Sequence, residues 1–490
     1  MKYISIYFFL LFSSAVIAQS TKQPNVVFIF IDDLRPDLGC YGNEVVISPN
    51  LDAFAEESAL FTRQYVTVPT CGASRYSLLR GKLPRTKAEL GNEIANVLSN
   101  PKVDKSDEPE TFIEQLRRNG YYTVGIGKVS HAVDGYIYPY NAPKRSNRRE
   151  LPNSWDEMLF NPGKWRHGWD AFFAYADGES RTTKKGEVLP YEAGLVDDTG
   201  YPDGLTAELA IDKIKELSQK NKPFFLGVGF FKPHLPFNAP KKYWDLYDEN
   251  ILPLSPSPDI PANVNLASLH GSGEFNQYKL GQEKASLDKS LSDEYSRKLI
   301  HGYYASISYV DAQVGKVIST LKESGLYENT LIIVWGDHGW HLGDQRVWGK
   351  HTLFERSLQS VLIMKSPNMV KGKKIQQVVS SVDISPTILD FSNIPQMKET
   401  NGESMKGLIT RKNDKKWRNT AYSYYRGGIS VATPRYRFTH SFRNQEPVTE
   451  LYDHKNDPYE KINIAAGKPK VIEKMMGVLE KGNTGLYDSK

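Results

Sequence analysis

Continuous apolar runs alternate with helix-spaced apolar positions along most of this chain, and acids, lysines and histidines gather where the runs stop. Asn25 to Ile31 (NVVFIFI) is β-branched and unbroken, the pattern of a strand covered on both faces, and it ends in Asp32 and Asp33. Ser48 followed by Pro49 marks a helix start, with Leu51, Phe54 and Ala55 on one face. A helix-then-strand unit then recurs three times. Thr111 to Arg118 passes Gly120 into Tyr122 to Gly127; Thr206 to Lys220 leads into Pro223 to Phe231; a helix ending near Leu321 and Gly325 leads into Thr330 to Trp335. This alternation predicts an α/β fold with a mostly parallel central sheet and helices on both faces. Right-handed crossovers place the C-terminal ends of parallel strands along one edge. That edge would receive Asp32 and Asp33 from the first strand, Lys128 and His131 from the second, Lys232 and His234 from the third, and Asp337 and His338 from the fourth.

Past Thr400 the texture becomes aromatic and alternating, at Thr420 to Arg426, Arg435 to Phe442 and Glu450 to Glu460, with a terminal helix near Val471 to Leu479. We expect a catalytic α/β domain over residues 19–399 and a smaller C-terminal antiparallel-sheet subdomain over 400–490. The polar stretch Asp259 to Asp293 reads as a long loop, and rims of a pocket are expected there and over Trp165 to Tyr201.

With 490 residues, 40% of them hydrophobic, the chain has ample material for a core, so disorder is excluded. Lys+Arg at 62 against Asp+Glu at 57 leaves +5, too mild and too evenly spread for a nucleic-acid footprint but compatible with a small anionic substrate. Residues Met1 to Ala18 combine Lys2, an apolar stretch from Ile4 to Phe12, and small residues at Ser13, Ser14, Ala15 and Ala18. This is the pattern of a cleavable signal peptide, shorter than the roughly 20 apolar residues of a membrane span, and it implies a secreted or periplasmic protein. No later segment is long and apolar enough to predict a transmembrane segment in the mature chain. Two cysteines, Cys40 and Cys71, allow a single bridge, poor use of an oxidising compartment if stapling were their purpose.

Adjacent carboxylates such as Asp32 and Asp33 raise one another's pKa, and a hard divalent cation resolves the conflict. Asp337 adds a third carboxylate, and oxygen-rich ligation of this kind favours calcium or magnesium over zinc. The segment Thr70 to Gly81 (TCGASRYSLLRG) is more specific. A small-residue turn places Cys71 ahead of a helix expected to begin near Ser74, where N–H groups favour anions, and Arg75 lies one helical turn on. By itself this segment predicts either a thiolate nucleophile of lowered pKa or a buried structural cysteine.

CGASR followed by YSLLRGKLP resembles the signature of type I sulfatases, in which the cysteine is oxidised to formylglycine. The likeness spans nearly all of the chain after the leader: NVVFIFIDDLRPDLGCYG, SPNLDAFAEESALFTRQYV, GIGKVSH, GFFKPHLPF, WGDHGWHLGDQRVWGKHTLFE and VDISPTILDF stand in the family's order, and DDLRPDLGCYG with KPHLPF and GDHGWHLG most resembles the iduronate-2-sulfatase branch. The resemblance implies an alkaline-phosphatase-like fold and one calcium ion held by Asp32, Asp33, Asp337, His338 and the modified Cys71. Many relatives carry asparagine at the position of His338; the iduronate-type branch carries histidine. The resemblance further implies that Arg75 orients formylglycine, that Lys128, His131, His234 and Lys350 surround the sulfate, and that Lys232 contacts substrate. The commonest signature has proline two residues after the cysteine, where this chain has Ala73, as bacterial members do.

The function implied by this likeness is that of an exported sulfatase, matured by a formylglycine-generating enzyme and acting on a sulfated oligosaccharide or polysaccharide. The sugar would be a 2-O-sulfated uronate-type unit or an algal polysaccharide such as ulvan or carrageenan. Two other readings remain open: a phosphoesterase or phosphonate hydrolase of the same superfamily, and an inactive sulfated-glycan-binding protein. Lys128 and Lys350 stand where a second metal of a two-metal esterase would need room.

Overall fold

The β-branched and aromatic runs form the middle of the molecule. In this computed structural model residues 23–98, 108–367, 369, 371–410, 416–442 and 447–488 are described, so the leader reading over Met1 to Ala18 lies outside them. The main sheet contains, in chain order, β1 (Asn25–Ile31), β2 (Ala59–Phe61), β3 (Tyr122–Gly127), β4 (Glu157–Leu159), β5 (Phe224–Phe230), β6 (Thr330–Gly336), β7 (Leu362–Lys365) and β8 (Lys373–Ile375). Their order across the sheet is β8-β2-β7-β6-β1-β5-β3-β4. The central strands β6, β1, β5, β3 and β4 run parallel, and β7 is antiparallel to both its neighbours. The four strands expected from the sequence are thus the four adjacent central ones.

Helices cover both faces, as the unbroken apolar runs require. They are α1 (Pro49–Glu56), α2 (Cys71–Arg80), α3 (Phe112–Arg118), α4 (Pro202–Ser218), α5 (Asp293–Glu323) and α6 (Ile384–Phe391). Alternate residues of β1 serve the two layers. Val27, Ile29 and Ile31 pack in a core with Ala207 and Ile214 of α4 and Tyr303, Ile307 and Val314 of α5. Val26, Phe28 and Phe30 pack in a second core with Tyr76 and Leu79 of α2, Ile113 and Leu116 of α3, and Ile388 and Leu389 of α6. Caps mark several helix starts: Thr111 accepts a bond from the Glu114 N–H at 3.2 Å, and Ser292 one from the Tyr295 N–H at 3.2 Å.

Beyond Thr400 a four-stranded antiparallel sheet runs in sequence order through β9 (Ala421–Tyr425), β10 (Gly428–Ala432), β11 (Tyr436–Ser441) and β12 (Val448–Asp453). It carries α7 (Pro469–Leu479), whose Met475 and Leu479 bury against Tyr424, Ile429 and Phe438. β10 went unread in the sequence; the other three strands and the helix match the alternating segments. The connection into this sheet is part of the main body, since Met405, Leu408, Ile409 and Trp417 belong to the core that holds α6. Among the described residues no helix is long and apolar enough to cross a membrane.

Candidate active site

Because β6, β1, β5 and β3 are parallel neighbours, the residues beyond their C-terminal ends converge at one sheet edge, where Asp32, Asp33, Lys128, His131, His234, Asp337, His338 and Lys350 are all buried. After β1 the backbone turns sharply at Asp33, whose φ of 58° lies in the left-handed region that aspartate tolerates better than most residues. The turn is braced from two sides: the Asp33 N–H donates to Asp337 Oδ1 at 2.9 Å, and the Tyr303 hydroxyl of α5 donates to the Asp33 carbonyl at 2.6 Å.

The cysteine arrives from another element. α2 begins at Cys71 itself rather than near Ser74, because extended Thr70 acts as the cap residue and its carbonyl already accepts the Ser74 N–H at 2.8 Å. The small residues that read as a turn are its first helical turn, and Gly72 is needed there because a Cβ would press on Asn92 and His131. Cys71 Sγ lies 3.3 Å from Lys350 Nζ and 3.3 Å from His338 Nε2. Both cysteines are free, so no bridge ties Cys71 to Cys40.

Cations and acids interlock around it. Arg75, fully buried, reaches Asp337 with Nε at 2.9 Å and Asp32 with Nη2 at 3.1 Å. Lys128 Nζ lies 2.6 Å from Asp32, and Lys350 Nζ lies 3.0 Å from Asp33. His338 Nε2 is 3.4 Å from Asp33 and 3.7 Å from Asp337. Burial works against the Asp32 carboxylate, yet Lys128 and Arg75 outweigh it and hold the pKa well below the usual range. Asp33 goes the other way: burial pushes it well above its usual value despite Lys350 and His338. A carboxyl so placed takes up further positive charge. Single donor atoms of Asp32, Asp33, Cys71 and His234 lie within 4.8 Å of one another, as do those of Cys71, Asp337 and His338. Three carboxylates with a histidine suit one hard divalent cation, although imidazole is a less usual donor to it than oxygen.

The cysteine itself departs from the sequence expectation of a lowered pKa. Burial pushes its thiol up to about 12, with Asp32 adding to the effect against Lys128 and Lys350, so burial and the acid together outweigh the helix N-terminus.

Above Cys71 opens a cavity of about 540 Å³ lined by Lys128, His131, His234, Lys350 and further groups. His131 Nε2 lies 3.2 Å from the Tyr140 hydroxyl while its Nδ1 has no hydrogen-bond partner, and burial with Lys128 nearby holds the imidazole well below its usual pKa. His234 is pushed down to about 4 by burial and by Lys350, against the pull of Glu274, whose Oε1 is 3.1 Å from Nε2. Two expected residues face elsewhere. Arg75 sits beneath the acids rather than on the cavity wall, and Lys232 directs its amine at the carbonyls of His234, at 3.0 Å, and Pro236. Lys232 therefore braces the loop that carries His234.

Glu274, Arg181, Tyr140, His270 and Arg426 also line the cavity and were not read from the sequence. They lie on the irregular segments over 165–201 and 259–293 and on other loops, where no periodicity announces which side chain turns inward. Only the expectation that pocket rims come from those two segments pointed towards Arg181, His270 and Glu274.

Comparison with known proteins agrees with this construction. A family model described as Sulfatase matches residues 24–394, and one described as N-sulphoglucosamine sulphohydrolase, C-terminal, matches residues 336–483. The chain is 28% identical over 484 residues to a sulfatase of Formosa agariphila, covering 95% of this chain and 88% of that protein. It is 28% identical over 406 residues to an iduronate 2-sulfatase of Mus musculus, covering 77% of this chain and 70% of that protein. Among solved structures, a phosphonate monoester hydrolase from Silicibacter pomeroyi shares the fold with a TM-score of 0.71 at 22% identity, over 95% of this chain and 97% of that one. Since the Sulfatase match extends over residues 24–394, well beyond half of the sequence, the chain belongs to the sulfatase family and is a sulfuric ester hydrolase.

Proposed function

We propose that this protein is an exported sulfatase that removes sulfate from a sulfated sugar or polysaccharide, with Cys71 converted to formylglycine by a maturation enzyme. The observation that carries the reading is the position of Cys71: at the start of α2, 3.3 Å from both Lys350 Nζ and His338 Nε2, on the floor of a cationic cavity. The likeness to iduronate 2-sulfatase supports a 2-O-sulfated uronate-type sugar as substrate, and an algal polysaccharide such as ulvan or carrageenan is the other class we carry. Residues 19–399 would form the catalytic unit, with 400–490 buttressing it.

Asp32, Asp33, Asp337 and His338, with residue 71, are the groups that would hold one calcium ion, which when bound supplies positive charge that acidifies a hydroxyl and neutralises sulfate. The remaining chemistry falls to the chain. Hydrated formylglycine carries two hydroxyls on one carbon. As one hydroxyl gives up its proton to solvent and its oxygen attacks sulfur, the bond from sulfur to the sugar oxygen breaks and His234 protonates that leaving oxygen. Loss of the proton on the second hydroxyl to His131 then re-forms the aldehyde and breaks the carbon–oxygen bond to sulfate. A neutral, buried His131 suits this base role. Glu274 at 3.1 Å supplies the negative charge that helps His234 carry a proton against its burial. Lys128 and Lys350 offset charge on the sulfate oxygens, and Arg75 keeps Asp32 and Asp337 in place beneath them.

Intact-mass and peptide mass spectrometry of natively purified protein tests the reading, together with sulfate release from an aryl sulfate before and after chelation and calcium return. The expected result is an aldehyde at residue 71, activity lost on chelation and restored by calcium, and no turnover by Cys71→Ala. Active protein with an unmodified Cys71 overturns it. Aryl phosphate and phosphonate assayed in parallel distinguish the superfamily alternative, which predicts the reverse preference.

A further inference from the structure

Both lysines of the cavity are already matched by acids: Lys128 by Asp32, Lys350 by Asp33. Arg181 is different. It lines the same cavity and is only 9% exposed, yet its Nη1 has no hydrogen-bond partner and, among the described residues, no carboxylate forms an ion pair with it. Its guanidinium lies against two aromatic rings, with Cζ 3.7 Å from the Phe173 centroid and 5.3 Å from that of Tyr278. Phe173 in turn neighbours His234, ring centroids 6.2 Å apart, so the cation stands beside the group assigned to the leaving oxygen. Its backbone is fixed as well, the Arg181 N–H donating to the Phe173 carbonyl at 3.1 Å and the Arg181 carbonyl accepting from Gly186 at 2.9 Å.

Burying an unmatched charge is costly, and ring stacking recovers only part of the cost. A backbone-fixed guanidinium that keeps an open donor at Nη1 is suited to capturing a planar or multi-oxygen anion. The sulfate to be cleaved belongs over Cys71, between Lys128 and Lys350. We propose that Arg181 binds a second anionic group of the same substrate, a uronate carboxylate or a second sulfate ester, and so makes the enzyme select doubly charged sugars. This rests on the sulfatase reading above and adds the residue that recognises the rest of the sugar.

The test compares kcat/KM for two substrate pairs: a 2-O-sulfated uronate disaccharide against its carboxyl-reduced counterpart, and a disulfated hexosamine against a monosulfated one. In the wild type at least one doubly charged member should be preferred by about tenfold or more. Arg181→Gln should abolish that preference, mainly through KM, and Arg181→Lys should restore part of it. Movement in the first pair identifies the anion as carboxylate, and in the second as sulfate. A wild-type enzyme indifferent within both pairs overturns the proposal without any variant, as does an Arg181→Gln enzyme that loses rate on both members equally. Sulfate release from a neutral aryl sulfate by the wild type reports separately on the underlying activity.

Discussion

Lys350 makes the sharpest residue-scale case, because one amine touches Asp33 at 3.0 Å and Cys71 Sγ at 3.3 Å and also faces the cavity. Lys350→Ala is expected to lower kcat by about 10² to 10³, the range for loss of one preorganised charge that acts on the transition state. Steady-state kinetics check this, and a parallel thermal melt separates the rate effect from any loss of fold. Arg75 predicts a different outcome. Its guanidinium is fully buried between Asp32 and Asp337, so Arg75→Ala strips Asp337 of its arginine partner and leaves Asp32 with Lys128 alone, and should cost about 3–5 kcal/mol of stability, measurable by denaturant unfolding. The identity of these residues was legible from their positions after apolar strands and in the CGASR block. Their orientation was not: nothing in the spacing distinguishes Arg75 under the acids from Lys350 on the wall, or reveals that Lys232 turns to backbone carbonyls.

Between elements, β3 and β5 deliver Lys128 and His234 to the same edge, and two glycines let them do so. Gly127, with φ of 68°, pairs with Gly229, and the Lys128 N–H donates to the Gly229 carbonyl at 3.1 Å. A Cβ on Gly229 would strike the Lys128 backbone, with no flexible side chain to give way. Gly229→Ala should therefore cost about 1–3 kcal/mol and displace Lys128. Circular-dichroism melts and kcat/KM should fall together; a variant of wild-type stability and rate would contradict the close approach. At this scale the long apolar strands were readable from their continuous runs. β2, β7 and β8 were not, since segments of three or four residues acquire strand geometry only from partners far along the chain, as when β7 inserts antiparallel between β6 and β2. α2 also started three residues earlier than its pattern suggested, because the cap at Thr70 rather than apolar spacing sets its first turn.

Across the whole molecule, a buried ion network fastens the C-terminal sheet to the main body. Arg437 Nε lies 2.7 Å from Glu460 and its Nη2 also meets Glu355, while His454 Nε2 lies 2.8 Å from Glu460. Burial alone would lower the His454 pKa; Glu355 and Glu460 outweigh it and raise the pKa above the ordinary value. Folding thus takes up a proton at His454. Its contribution to stability is fully present below about pH 6.5, the value for an unperturbed histidine, and is lost as pH rises through the higher folded value. Wild type should melt above His454→Gln at pH of about 5.5, with the gap narrowing as pH rises past neutrality; a constant gap would refute the linkage.

The amino-acid sequence by itself determined the layered α/β architecture and the kind of chemistry, because unbroken apolar runs must be covered on both faces and parallel strands must end on one edge. Tertiary structure alone decided what that chemistry does at each atom. Burial sets the Cys71 thiol at about 12 and drives Asp32 and Asp33 apart. Packing of irregular segments brings Glu274 to His234 and turns Arg181 to the cavity with its Nη1 unpartnered. Desolvation and charge pairing depend on distances between residues hundreds of positions apart, and no local pattern in the chain encodes those distances.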